Sequence, residues 1–274
     1  MIEYIDLVFW PLIAAFVLTG IHVYLGLQVV TRGVIFVDLA LAQAAALGTT
    51  VGILLGMSHE GIPIYLLAGA FTLIGAILFT TTRTHDDRVP QEAIIGITYV
   101  GATALMILLF SKSPEGAEHI NHLLVGSILF VTPYIVGKTF LLYAVIGLFH
   151  WRYRKEFMNA SKAPLKTTEN TANTRLWDFL FYVTFGFVVT VSVKIAGVLL
   201  VFSFLIIPAV AAILLLERTL SRLLFGWIFG VLGSFLGMIA SIILDFPSGA
   251  SIVVTFALML CFVGIIKAIK SKTS

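Results

Sequence analysis

Charge is what this 274-residue sequence has least of. Asp, Glu, Lys and Arg together make up 11% of it, against roughly 25% in a soluble globular domain. That scarcity excludes a cytosolic enzyme, a disordered chain and a nucleic-acid binder. Cysteine is nearly absent as well. The single Cys261 lies in an apolar run, which excludes a disulfide framework and a thiolate metal site. The signatures of soluble catalysis are missing too: there is no Walker A sequence, no GxSxG, no HExxH and no CxxC. The chain therefore reads as no enzyme in its own right, with no cofactor of its own. Any work it does must draw on an ion gradient or on another subunit's ATPase.

What is present is apolar. Hydrophobic residues make up 59% of the chain, and the mean hydropathy is +1.07. Nine spans of about 20 residues would use around 180, which leaves no room for a second, soluble domain. Stretches such as Ile195 to Leu216 are apolar on every face, whereas a β-barrel needs alternation in ~10-residue strands. The expected class is all-α: a polytopic integral membrane helical bundle of eight to nine transmembrane helices, a single domain over 1–274. The net charge of +3 sits in short loops rather than in a patch, so it marks topology and not nucleic acid. The acidic start, with Glu3 and Asp6, lacks the basic n-region of a signal peptide. The first apolar run reads as a retained helix.

Nine apolar segments can be marked: Leu7–Val30, Val34–Met57, Ile62–Thr82, Ala93–Phe110, Tyr134–His150, Leu176–Val193, Ala196–Leu216, Leu223–Leu244 and Ala250–Ile269. Lys194 interrupts the stretch from Leu176 to Leu216, and if that stretch is read differently the count is eight. Basic residues fall in alternate connections: Arg32; Arg83 and Arg88; the run from Arg152 to Arg175; Arg218 and Arg222; and the tail with Lys267, Lys270 and Lys272. Positive loops face the cytoplasm, which puts the N-terminus outside and the C-terminus inside. The connection 151–175 is polar and basic and reads as a mobile cytoplasmic loop. His119 to Thr132 is apolar but short, and ends before Pro133. It suits a re-entrant or interfacial piece, which needs protein or a water cavity over its backbone. The small-residue rows Ala40–Ala46 and Gly226, Gly230, Gly233, Gly237 suit either bundle contacts or a dimer face.

Polar groups at membrane depth are expensive and tend to be functional. His22 lies inside the first segment, and Asp38 and Gln43 inside the second. Counting from a turn at Arg32 with 1.5 Å per residue, His22 and Gln43 each lie about 13–15 Å in, and Asp38 roughly 7 Å nearer the cytoplasm. Asp38 and Gln43 are five residues apart, about 140° around the helix, so they do not share a face. Two readings stand for His22 and Gln43: an interhelical hydrogen bond, or a transport path. Imidazole and carboxylate suit divalent transition metals. Glu92 opens the fourth segment, where a carboxylate caps a helix N-terminus. His119 and His122 flank the short apolar piece; solvation is the bland account and a gating or metal role the sharper one.

Several motifs together resemble the permease subunits of zinc/manganese-type ABC importers, over nearly the whole chain. They are Gly197-Val198-Leu199-Leu200-Val201 continuing to Leu205-Ile206-Ile207-Pro208-Ala209, the turn Asp245-Phe246-Pro247-Ser248-Gly249-Ala250, Glu92-Ala93-Ile94-Ile95-Gly96-Ile97, and His122 to Leu129. The resemblance implies a multi-pass permease in a bacterial-type inner membrane, present as a homodimer or paired with a like permease. Its partners would be ABC ATPase subunits, an extracytoplasmic metal-binding protein and membrane lipid, with no nucleic acid. The cargo would be zinc, manganese or iron. It also implies a coupling region at about 209–222, after Pro208, with a short helix that docks on the ATPase and involves Ala209, Ala212, Glu217, Arg218 and Arg222.

The second segment departs from the family. Where related permeases carry Asp and His four residues apart, this chain has Leu39 and Gln43, with Asp38 one residue early. Either Asp38 takes the lost role through a helix distortion, or His22 substitutes, or the branch passes a chelated or different substrate. The expected function is the permease of an ATP-driven divalent-metal importer. The alternatives are a permease for a metal chelate of siderophore or cobalamin type, and a gradient-driven secondary carrier. The last should show more deep carboxylates and an inverted repeat, and no convincing repeat is visible.

Overall fold

The computed structural model describes residues 2–58, 61–83, 89–111, 128–162 and 172–273. Among them are nine α-helices, one 3-10 turn and no strand. The helices are α1 (Ile2–Arg32), α2 (Val37–Leu54), α3 (Ile62–Thr81), α4 (Gln91–Phe110), α5 (Pro133–Arg152), α6 (Arg154–Lys162), α7 (Ala172–Leu215), α8 (Thr219–Leu244) and α9 (Ser248–Thr273), with the 3-10 turn at Ile128–Phe130. Prolines at or next to the first residue of α3, α4 and α5 start helices at no hydrogen-bond cost, because those N–H groups have no intrahelical acceptor. The all-α membrane class expected from composition is observed: eight helices are long and apolar enough to cross a membrane.

The ambiguity at Lys194 resolves in an unexpected way. Lys194 does not interrupt the helix, which runs through it. The break falls three residues later, at Gly197, with φ 75° and ψ 161°, a backbone region open essentially only to glycine. An unbroken 44-residue helix would be about 66 Å long, twice the ~30 Å hydrocarbon core. The glycine therefore divides α7 into two stretches that are each of span length.

The chain forms two compact units. One comprises Met1–Val30, Leu124–Val145 and Lys194–Ser274; the other comprises Thr31–Leu123 and Ile146–Val193. In the first unit, the glycine row of α8 is consumed by packing. Gly226 and Gly230 lie against Val23 and Thr19 of α1, and Gly233 and Gly237 against Phe256 and Ile252 of α9. Of the two roles left open for that row, bundle contact is the one it performs. Trp227 Nε1 adds a hydrogen bond to the Gly20 carbonyl at 3.0 Å. In the second unit α2 is the centre, packed by α3 and α4. Its alanine-rich row Ala40–Ala46 is buried throughout, which lets neighbouring backbones come close.

Hydroxyls inside the helices bond back to their own helix. Thr19 donates to the Ala15 carbonyl, Thr50 to Ala46, Thr72 to Ala68, Ser192 to Val188 and Ser234 to Gly230. In lipid that is the cheapest way to satisfy the hydroxyl proton.

The tightest backbone approach in the first unit is at Gly26. A Cβ there would lie 1.9 Å from the carbonyl oxygen of Leu205, a backbone atom that cannot rotate away. At Gly20 on the same helix a Cβ would meet nothing within 4 Å. Gly26→Ala is expected to lower stability by about 1–3 kcal/mol through overpacking. Gly20→Ala should be neutral or raise it by up to ~1 kcal/mol, through helix propensity. Thermal melting of the two purified variants checks this, and shifts of the same sign would contradict it.

Two sequence expectations need correction. The connection 151–175 is not simply a mobile polar loop, since it contains α6, whose Phe157 is fully buried. One aromatic in a polar stretch is enough to fix a short helix when an aromatic cluster is there to receive it. The coupling region also differs. Pro208, Ala209 and Ala212 lie inside α7, with both alanines fully buried. Only residues 216–218 separate α7 from α8, so no separate short helix stands between them. Glu217 and Arg218 are the exposed residues of that turn, while Arg222 is partly buried and its Nε donates to the Leu216 carbonyl at 2.8 Å.

Candidate permeation site and charge centre

Of the residues singled out for a transport path, His22 belongs to the first unit, and Asp38, Gln43 and Glu92 to the second. His22 is fully buried in α1. Its Nδ1 lies 2.7 Å from the Leu18 carbonyl. A carbonyl only accepts, so Nδ1 carries the proton there and the ring is fixed as that tautomer. The Tyr143 ring stands edge-on to it at 6.1 Å.

Asp38 opens α2, and Gln43 follows one and a half turns on. Both are buried, at 1% and 3% exposure. Asp38 Oδ1 and Gln43 Oε1 have no hydrogen-bond partner among the described residues. Buried acceptors are normally satisfied, and each one left unmatched costs about 1–3 kcal/mol. Two unmatched oxygens on one short helix are acceptors left open to a further donor or a cation. Their ~140° angular offset places them on different faces of α2, so they are not two jaws of one site. No group of three or more His, Cys, Asp or Glu side chains able to hold a metal occurs among the described residues.

Glu92 caps a helix, but not its own. It is the second residue of α4, and its carboxylate accepts the backbone N–H groups of Ile35 and Phe36. Those N–H groups sit at the start of α2, whose N-cap residue Phe36 offers no side-chain cap. Glu92 therefore ties the start of α4 to the start of α2, where Phe36 lies two residues ahead of Asp38. His119 and His122 lie outside the described residues.

One buried centre escaped the sequence reading. Asp178 of α7 accepts hydrogen bonds from both Arg32 and Arg83. The Arg32 and Asp178 side chains are each 1% exposed and that of Arg83 is 9%. The Arg32 guanidinium also lies over the Phe181 ring, 4.1 Å from its centroid, and donates to the Phe157 carbonyl at 3.4 Å. Phe157 stacks flat on His150, with ring centres 4.0 Å apart, and His150 Nε2 lies 2.8 Å from the Thr184 hydroxyl. Arg32 and Arg83 mark loops correctly, but they are not solvated loop charges. The available signal was Asp178 itself, an acid two residues into the apolar run that starts at Leu176.

Comparison with known proteins agrees with this architecture. Residues 4–267 match the ABC 3 transport family. The manganese import system permease protein ScaB of Streptococcus gordonii is 25% identical over 252 residues, 90% of this chain and 87% of that one. The manganese transport system membrane protein MntC of Listeria innocua is 24% identical over 229 residues, covering 84% and 79%. Among solved structures, PsaBC from Streptococcus pneumoniae in complex with Fab superposes with a TM-score of 0.77 at 25% identity, covering 96% of this chain and 95% of that one. With a family match running almost end to end over a multi-pass helical fold, the chain belongs to the ABC 3 transport family.

Proposed function

We propose that the chain is the membrane permease of an ATP-driven importer whose cargo is a divalent transition metal, manganese foremost. The names of the relatives support the cargo class. The observation that carries the site is the pair of buried, unmatched acceptor oxygens on α2, Asp38 Oδ1 and Gln43 Oε1; His22 of α1 is proposed on its own account as a nitrogen ligand for the cargo. Hard and borderline ions such as Mn²⁺ take carboxylate and carbonyl oxygens readily. A sparse, incompletely satisfied path also suits transport, because a cargo has to leave as well as enter.

Energy comes from partner ATPases, which would dock on the exposed turn at Glu217 and Arg218. An extracytoplasmic metal-binding protein would load the permease from the other side, and a second copy or a like permease would complete it. The alternation of basic loops supports an N-terminus outside and a C-terminus in the cytoplasm of a bacterial-type inner membrane.

The test is radioactive manganese uptake in an importer-deletion strain complemented with the permease, its ATPase and its binding protein. His22→Ala and Gln43→Ala are each expected to reduce uptake about tenfold, the loss of one ligand's interaction, at unchanged membrane abundance. If both variants transport at the wild-type rate, the site assignment fails. If an inactive ATPase leaves uptake intact and a protonophore abolishes it, the ATP-driven reading gives way to a secondary carrier.

A further inference from the structure

We propose that Trp151, Arg152, Arg154 and Lys155 form a binding site for the headgroup of an anionic phospholipid. The site lies where α5 ends and α6 begins. Leu148 and Trp151 lie on one exposed face of α5, and Trp151 is 63% exposed. A tryptophan at the end of a membrane span is an interfacial residue, with its ring at headgroup depth. Arg152, Arg154 and Lys155 follow at once and are all exposed. The Arg154 guanidinium lies over the Trp151 ring at 5.7 Å, and that of Arg152 over the Tyr153 ring at 5.2 Å. Arg154 is thus held beside the aromatic ring that marks the interface, and Arg152 beside the next ring in the sequence.

The platform beneath them is fixed. Phe157, Ala160 and Ser161 of α6 are buried, at the i, i+3, i+4 spacing of a single helix face. Phe157 stacks on His150 and meets Trp177 edge-on at 5.2 Å. The opposite face carries Lys155 and Asn159, both exposed, while Arg154 sits at the exposed first residue of α6, three before Phe157. The buried face of α6 is packed on protein, which leaves the basic residues turned outward at the end of α5. Between Trp151 and Lys162 the sequence holds four basic residues and one acid, Glu156. A lipid phosphate is the anion that reaches this height beside the acyl-facing surface of α5. Neither the metal cargo nor the ATPase drive enters into it.

The purified full chain, stripped of endogenous lipid in detergent, is mixed with dioleoylphosphatidylglycerol or dioleoylphosphatidylcholine and adducts are counted by native mass spectrometry. The wild type is expected to retain phosphatidylglycerol in preference to phosphatidylcholine, and to lose that preference as salt is raised to screen the contact. The triple variant Arg152→Gln/Arg154→Gln/Lys155→Gln should bind phosphatidylglycerol on the order of a hundredfold more weakly, roughly fivefold for each charge. Arg152→Lys/Arg154→Lys, which keeps the charges, should bind like the wild type. Equal retention of the two lipids by the wild type overturns the proposal, as does undiminished phosphatidylglycerol binding by the glutamine variant. A glutamine variant that keeps the lipid but no longer co-purifies with an ATPase would assign this face to the ATPase and overturn it as well. Should the glutamine variant not fold, the wild-type lipid preference and its salt dependence decide alone.

Discussion

Asp178→Asn is expected to cost about 3–5 kcal/mol of stability, the penalty for removing one partner of a buried ion pair. The asymmetry of the centre sets the size. Two guanidiniums share one carboxylate, so the site is net positive even when intact. Without the carboxylate, two buried cations face each other with only neutral acceptors nearby. Arg83→Gln acts in the opposite sense, leaving a neutral Arg32–Asp178 pair. It should cost no more than ~1 kcal/mol, since Arg83 is also the more exposed of the two arginines. Arg32→Gln falls between them, because it also removes the contact over Phe181 and the bond to the Phe157 carbonyl. In the Asp178→Asn background, adding Arg83→Gln should recover part of the loss. Melting curves of the wild type, the three single variants and the double variant check the order, with the Asp178/Arg83 set read as a double-mutant cycle. An Asp178→Asn protein as stable as the wild type would mean that the carboxylate is not what holds the two arginines.

That centre also shows where a single sequence stops informing. Spans were legible because hydropathy is a sum over some twenty residues, and the sum tolerates local error. The ends of α2, α3, α4 and α8 fall within a few residues of the apolar segments. The charge centre was not legible. It joins positions 32, 83 and 178, which no periodicity relates, and each arginine alone looks like an ordinary loop cation. Glu92 illustrates the same limit more finely. Its place at a helix start pointed to capping, and it does cap, but the helix it serves is fifty-five residues earlier in the chain. Gly197 is the converse case. The glycine lay within a quoted motif, yet the charged Lys194 three residues before it drew the expected break. A lysine near a helix end can reach water along its own stem, whereas a backbone break needs a residue that permits the dihedral. That Asp38, Gln43 and His22 lie within helices could be read from the sequence. That two of their oxygens go unmatched could not, because that depends on which groups the neighbouring helices fail to offer.

Those unmatched oxygens lead to the second large effect, which distinguishes a transport role from a structural one by its sign. Asp38→Asn keeps the shape of the side chain and removes its charge. If Asp38 contacts a divalent cation in transit, the loss of a charged ligand should lower manganese uptake by about tenfold or more. The same exchange should leave stability unchanged or raise it by about 1–3 kcal/mol. The buried carboxylate with an unpartnered Oδ1 carries an unmatched desolvation cost of that size. Its favourable place in the first turn of α2 returns only about 0.3–1 kcal/mol from the helix dipole, so the cost wins. Lower transport with equal or higher melting temperature is the pattern of a residue kept for function at the expense of stability. Asp38→Ala should show the same pair of signs, and Leu39→Ala, at the neighbouring position, should leave uptake near the wild-type rate. If Asp38→Asn lowers uptake and stability together, the carboxylate is a structural element of α2, and the path must be sought without it.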